Sequence, residues 1–326
     1  MVSDGIFTDD PAEEQLLATT IYPILAVVLS SAYIYLLLAV PRDEDPTRRF
    51  VPWAKHGVLA FALANVFLAI STLTLSHLAS TTPDIHGPAT ASLAEILMRL
   101  RDVGEMAKNV GTALLSVALL FYAGALLAAV NYVWQEPFTH GKVFDLVRFL
   151  SAGLCAFAVL RFGFTQAARG NSNSYDAGTK AEGADGDVAQ TATRWQIGYD
   201  LISSMQAMVL CSTGVFAWRR TKEAAGLDKL ALYCLVASFL VLIRSTWNMY
   251  FAFAYEIDPV APGPFSANMD VLIDVGFPSA AALVLGFVAS LKRGGLRSSG
   301  DSDYEGVAGE EAEEMNRLSP NRRAPA

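Results

Sequence analysis

Charged side chains are scarce in this sequence, and their scarcity excludes several classes of protein. They make up 17% of the 326 residues, while 53% are hydrophobic, and an ordinary soluble domain has about 25% charged residues. A chain this apolar does not match the composition of disordered proteins. Its apolar residues are collected in long blocks, which predicts a membrane protein rather than two soluble domains. The formal net charge of -8 argues against nucleic acid as a partner, because phosphate binding needs a basic surface.

Cysteine and histidine are also rare, with three and four copies. The cysteines (Cys155, Cys211 and Cys234) all fall inside apolar blocks, so we expect no disulfide framework. The HExxH, GxSxG and P-loop motifs are missing, and the last apolar block has no lysine for a retinal Schiff base before Lys292. We therefore expect a protein that is not an enzyme and has no catalytic residues, metal or cofactor.

Basic residues are missing from positions 1–16, which carry five acidic residues. A cleavable signal peptide begins with a basic stretch, so none is predicted here. Basic residues are retained on the cytoplasmic side of membranes. The acidic start of the chain therefore favours an N-terminus outside the cytoplasm.

Seven apolar blocks are each long enough to cross a bilayer as a helix, which takes about 20 residues. They cover residues 17–40, 57–80, 109–134, 144–167, 195–218, 229–254 and 269–291. None of them alternates polar and apolar residues as a barrel strand does, and backbone groups in hydrocarbon must be paired internally. The predicted fold is therefore all-α, a bundle of seven transmembrane helices.

The basic residues beside the blocks predict the orientation of the bundle. With the N-terminus outside, twelve of them flank the cytoplasmic ends and six lie on the opposite side. This bias predicts an outer N-terminus and a cytoplasmic C-terminus. The chain then divides into an extracellular tail (1–16), a transmembrane domain (17–291) and a cytoplasmic tail (292–326). The acidic, weakly apolar composition of the cytoplasmic tail predicts disorder.

Two connecting segments have contrasting patterns. Residues 91–107 carry apolar side chains at helical spacing, with Glu95 and Arg99 at a supportive separation of four. We interpret them as an amphipathic helix at the outer interface or as an extension of the third span. Residues 170–190 have no apolar face, which predicts a mobile outer loop.

Five ionisable residues fall inside the predicted spans or at their mouths. A charge within a span costs about 2.5–3.5 kcal/mol and needs a partner, a wet cavity or a nearby interface. The five are Arg161, Asp200, Arg244, Asp270 and Asp274. The predicted orientation gathers all of them in the outer half of the bundle. Trp247 and Asn248 follow Arg244 by three and four residues and therefore share its helical face.

Three interpretations of these seven residues are open. They could line an outward-facing cavity that binds a ligand with a polar head. They could instead lock neighbouring helices through ion pairs, Arg244 with Asp274 and Arg161 with Asp200. The shallower charged groups could also extend to water at the membrane surface.

The sixth and seventh blocks carry a family resemblance. Their sequences read VLIRSTWNMYFAFAYEID at 241–258 and NMDVLIDVGFP at 268–278. Ile243, Arg244 and Ser245, the aromatic residues after them and the acidic entry to the next span resemble the fungal lipid-translocating exporter family. The resemblance extends over about 30 residues.

This resemblance implies seven spans, an outer N-terminus, a polar cytoplasmic tail and export of sphingoid bases or amphiphilic toxicants. The chain departs from the family pattern at Asn248 and Phe251, where the family has an Arg and a Glu. A group of fungal seven-helix surface-sensing receptors is similar in topology.

The leading functional hypothesis is export or translocation of an amphiphilic, lipid-like molecule through an outward-facing polar pocket. Arg161, Asp200, Arg244 and Asp274 would surround the pocket, with Arg244 binding an acidic or polar head group and Asp274 a basic one. The alternative is a receptor whose 219–228 loop and C-terminal tail engage a cytosolic signalling protein. Membrane lipids are the expected surroundings in both cases, and the plasma membrane is favoured over endomembranes.

Overall fold

The computed structural model describes residues 11–40, 48–81, 88–134, 141–174, 184–222, 227–256 and 269–291. These residues are 97% helical and include no strand. The α-helices are α1 (Pro11–Ala39), α2 (Phe50–Thr81), α3 (Pro88–Trp134), α4 (Gly141–Ser174), α5 (Ala184–Thr221), α6 (Asp228–Phe251) and α7 (Phe277–Ser290). One π-helical turn, Ala252–Glu256, continues α6, and another, Leu272–Gly276, precedes α7.

Seven helices are long and apolar enough to cross a membrane, which confirms the all-α, seven-helix prediction. The spans are Leu17–Ala39, Phe50–Leu78, Ser92–Val130, Asp145–Ala167, Arg194–Thr221, Asp228–Ala254 and Met269–Ser290. The second and third begin well before the predicted positions, 57 and 109. The side of the membrane on which each terminus lies stays a prediction.

The amphipathic segment 91–107 is part of α3, which extends for 47 residues. The interpretation as an extension of the third span is therefore confirmed, and a separate interfacial helix is wrong. Within the segment Leu97 is buried, while Glu95 pairs with Arg99 on the exposed side. The segment is thus continuous with the rest of the same long, apolar helix.

The centre of the bundle is α3, which contacts α2, α4, α5, α6 and α7. In its most apolar window 78% of the residues are buried, compared with 22% in α1 and in α4. The hydroxyl of Tyr122 on α3 donates a hydrogen bond to the carbonyl of Leu230 at the start of α6, at 2.7 Å. Peripheral helices expose large apolar side chains such as Leu38 and Phe149, as expected for surfaces that face lipid.

Glycines on α3 allow α2 to approach closely. A Cβ atom at Gly104 would lie 3.0 Å from Cγ of Leu68 and 3.2 Å from the carbonyl oxygen of Ala64. At Gly111 it would lie 3.2 Å from the ring of Phe61. Small residues at such positions let membrane helices pack through dispersion contacts along their backbones.

The connection between α4 and α5 is more helical than predicted. Because α4 continues to Ser174 and α5 begins at Ala184, the loop prediction was wrong for residues 170–174 and 184–190. Residues 175–183 lie outside the described residues. The first helix begins at Pro11, inside the segment predicted as the extracellular tail. Residues 1–10, 223–226 of the predicted partner loop and the predicted cytoplasmic tail (292–326) also lie outside the described residues.

Candidate functional site

The seventh span is irregular at Asp274, which lies in the π-helical turn Leu272–Gly276. Pro278 follows it by four positions. In a regular α-helix the amide of residue 278 would donate to the carbonyl of residue 274, but proline has no N–H. The carbonyl oxygen of Asp274 instead accepts a hydrogen bond from Nε of Arg244, at 3.1 Å. An arginine on α6 thus supplies a donor in place of the amide that Pro278 lacks.

The guanidinium of Arg244 is fully buried, with 0% of the residue exposed. Besides the backbone contact, Nε lies 2.9 Å from Oδ1 of Asp274. One terminal nitrogen donates to Oγ1 of Thr112 at 2.7 Å and the other to Oδ1 of Asn109 at 3.3 Å. A buried charge is tolerated when it is both paired and hydrogen-bonded. Arg244 meets both conditions and joins α3, α6 and the seventh span.

A second cation, Lys108 on α3, reaches the same carboxylate. Its Nζ contacts Oδ2 of Asp274 and Oε2 of Glu105, and only 3% of the residue is exposed. Arg244 and Lys108 therefore bind different oxygens of Asp274. We call Glu105, Lys108, Arg244 and Asp274 the charge network, because two cations and two carboxylates balance one another at membrane depth.

The polar residues predicted on the face of Arg244 contact the seventh span. Nδ2 of Asn248 donates to Oδ1 of Asp274 at 2.8 Å, which adds a neutral donor to the charge network. One turn nearer the entry of the span, Nε1 of Trp247 donates to Oδ1 of Asp270 at 3.0 Å. The predicted stripe on α6 is thus aligned with both carboxylates of the seventh span.

The α3 members of this site were not among the predicted site residues. Lys108 was counted among the basic residues outside the spans because the predicted third span began at 109, and Glu105, Asn109 and Thr112 were not considered. The sequence does carry a signal for them: Lys108, Thr112 and Ser116 recur every four residues and are all buried. A polar stripe on one face of an otherwise apolar helix indicates a partner across an interface.

A cleft between α3 and α4 adjoins the charge network: it shares Glu105 with the network and is also lined by Asn109, which accepts a hydrogen bond from Arg244. Its polar and charged lining consists of Asp102, Glu105, Asn109, Arg161 and Thr165, and its apolar lining of Met106, Ala158 and Phe162. The empty space is about 310 Å³, including the open mouth. The cleft therefore presents charged groups of both signs beside an apolar surface.

Arg161 lies in this cleft and not at the level of Asp200. Gly198 on α5 packs against the ring of Phe157, as does Trp195, and α4 and α5 run in opposite directions. Arg161, one turn beyond Phe157, therefore lies about six residues, roughly 9 Å, from the level of Asp200. Asp200 is 2% exposed and accepts a hydrogen bond from Nε2 of Gln196 at 2.7 Å. The structure thus distributes the predicted residues over several levels of the bundle.

A charge swap tests whether the buried site is a simple pair. In the double variant Arg244→Asp, Asp274→Arg, the new arginine faces Lys108 and the new aspartate faces Thr112 and Asn109. Like charges repel, so we expect the swap to recover less than half of the free energy of unfolding that Arg244→Asp alone removes. Unfolding by SDS titration in detergent measures this; full recovery by the swap would contradict a role for Lys108.

Seven apolar helices, together with charges that are paired at membrane depth, define the class: this is a multi-pass integral membrane protein. No protein-family model matches the chain, and a search of curated proteins finds no match. The exporter and receptor resemblances therefore stay predictions.

Proposed function

We propose that this protein binds the polar head of an amphiphilic molecule in the cleft between α3 and α4 and exports or translocates that molecule, without acting as an enzyme. The observation that carries the proposal is the lining of the cleft. Charged side chains lie next to Met106, Ala158 and Phe162 within two of the seven apolar spans. A ligand with a charged head and an apolar chain satisfies both kinds of surface, whereas a purely polar or purely apolar ligand satisfies one.

In this proposal Arg161 contacts the head group directly. Arg244 and Asp274 do not line the cleft and instead stabilise the position of α3, which forms one of its walls. Both are buried and bound to each other, so the charge network fixes α3 against α6 and the seventh span. Asn109 and Glu105 belong to the network or contact it, and they also line the cleft. The network would therefore keep the α3 wall in place as a head group enters or leaves.

One contact is the basis for an alternative function, that of a receptor. Asn109 lines the cleft and also accepts a hydrogen bond from Arg244, so a head group that displaces Asn109 would perturb α6. The inner end of α6 follows the basic end of α5, which carries Arg219 and Arg220. In this alternative the 219–228 loop and the C-terminal tail would engage a cytosolic signalling protein, and the plasma membrane would be the site of both functions.

Transport is tested with purified protein in phosphatidylcholine vesicles containing trace amphiphiles with fluorescent tails. Movement between leaflets is followed by chemical quenching of the outer leaflet. We expect the protein to accelerate the movement over protein-free vesicles. Arg161→Gln should lower the rate about tenfold, the equivalent of about 1.4 kcal/mol, because the guanidinium is the cation of the cleft wall on α4.

Arg148→Gln is the matched control, since Arg148 lies at the opposite end of α4, where it stacks over the ring of Phe121 at 4.8 Å. Its removal should leave the rate unchanged. Equal rates with and without protein would contradict transport. If amphiphile-dependent signalling in cells is nevertheless lost with Arg161→Gln, the receptor function is the one supported.

A further inference from the structure

The two walls of the cleft carry opposite charges. On α3, Asp102 and Glu105 are one turn apart and line the same side. On α4, Arg161 and Thr165 are one turn apart and line the other side. The cleft is therefore polarised across its width, with carboxylates facing a guanidinium.

No direct ion pair joins the two walls. Arg161 forms none with any residue in the ranges that the structure describes, although both carboxylates line the same cleft. Glu105 is bound to Lys108 through Oε2, and Asp102 accepts a hydrogen bond from Nε2 of Gln166 at 2.8 Å. A carboxylate can accept up to about four hydrogen bonds, so one that already has a partner can also bind a ligand.

A ligand with a single charge fits this arrangement poorly. An anion bound to Arg161 would lie opposite two carboxylates, and a cation bound to the carboxylates would leave the guanidinium without a counter-ion at membrane depth. A head group that carries both charges can satisfy both walls. Complementary potentials of this kind determine specificity more than overall affinity.

We propose that the cleft is a binding site for a zwitterionic amphiphile, with its phosphate or carboxylate on Arg161 and its ammonium group on Asp102 and Glu105. This inference rests on the proposed function, since it names the ligand class of the same cleft. The cleft is open to its surroundings rather than enclosed, so the head would bind at its mouth while the alkyl chain extends along Met106 and Phe162.

The test is equilibrium binding to the full chain in maltoside micelles, whose neutral head groups carry no competing charge. Three probes have the same dodecyl chain and differ in the head, which is phosphoethanolamine, phosphate or amine. Tail-free phosphoethanolamine is the fourth probe and separates a lipid head from a free solute. We expect dodecyl phosphoethanolamine to bind at least about tenfold more tightly than any other probe.

Variants assign the two charges to the two walls. Arg161→Gln should weaken binding of the phosphoethanolamine and phosphate probes and leave the amine probe unchanged, whereas Arg161→Lys should retain part of the affinity. Asp102→Asn should weaken the phosphoethanolamine and amine probes only. Arg148→Gln, outside the cleft, should change none of them.

The inference would be overturned if the amine probe bound as tightly as dodecyl phosphoethanolamine and Arg161→Gln had no effect. It would also be overturned if tail-free phosphoethanolamine bound more tightly than dodecyl phosphoethanolamine. Transport and binding are measured separately, so the two proposals can fail separately. If translocation depends on Arg161 but not on the head group, the proposed function is supported and the preference for zwitterions is wrong. Selective zwitterion binding without translocation would leave the site standing without the transport.

Discussion

Asp274→Asn should destabilise the protein by about 3–5 kcal/mol, the usual cost of removing one partner from a buried ion pair. The substitution leaves Arg244 and Lys108 in one buried site with Glu105 as the single remaining carboxylate. Arg244, at 0% exposure, then has no anionic partner in the charge network. The amide side chain has a similar shape, so the loss reports the missing charge rather than a cavity.

The measurement is the free energy of unfolding from SDS titration of purified protein, with recovery of folded protein as a second readout. Asp270→Asn is the matched control on the same span. Asp270 accepts a hydrogen bond from the indole N–H of Trp247, and an asparagine oxygen can still accept it. We expect that control to cost less than about 1 kcal/mol. Equal effects at the two positions would show that the charge network contributes no specific stability.

Gly104→Leu should cost about 1–3 kcal/mol through overpacking between α2 and α3. The first added atom would lie 3.0 Å from Cγ of Leu68 and 3.2 Å from the carbonyl oxygen of Ala64. A side chain can rotate away, but the backbone carbonyl of a helix moves only with the whole helix. The two helices must therefore separate, which also weakens their contact at Gly111.

Gly163→Leu on α4 separates this packing effect from a general effect of replacing glycine with leucine. No atom lies within 4 Å of a Cβ built at Gly163, so the added side chain enters open space. In the same unfolding titration this control should be neutral or stabilising, because glycine is a poor helix former. A loss at Gly163 as large as that at Gly104 would contradict close packing as the cause.

The number of spans could be predicted from the sequence because a helix needs about 20 apolar residues to cross the hydrocarbon core of a bilayer. The stripe of Arg244, Trp247 and Asn248 on α6 could also be predicted, since helical spacing alone aligns residues three and four apart. Of its partners on the seventh span, Asp274 was paired with Arg244 in one of the three interpretations, whereas the contact of Trp247 with Asp270 was not predicted. Both the Arg244–Asp274 pair and the Trp247–Asp270 contact are local consequences of helix geometry once two helices are adjacent.

The α3 side of the site could not be predicted in this way. A hydropathy window ends a span at a lysine, because an isolated charge is costly in lipid. Lys108 avoids that cost through Asp274, which is 166 residues further along the chain, and through Glu105. Long-range pairing of this kind depends on which helices are neighbours, and a single sequence does not contain that information.

The relative levels of the other charges depended on helix register. Arg161 and Asp200 were placed together because each lies a few residues inside the outer end of its own span. The packing of Phe157 against Gly198 shifts α4 relative to α5 and moves the two charges apart. Depth counted from the end of a span is thus a poor measure when helices extend beyond their apolar spans by different lengths, as α4 and α5 do.

The proline at position 278 removes one backbone hydrogen bond from the seventh span, so the rigidity of the span at this point depends on a contact with another helix. Pro278 has no N–H to donate to the carbonyl oxygen of Asp274. Arg244 of the neighbouring helix donates to that oxygen instead. The rigidity of the seventh span therefore depends partly on α6. A ligand or a conformational change that moves the guanidinium of Arg244 away would make the seventh span more flexible at Asp274.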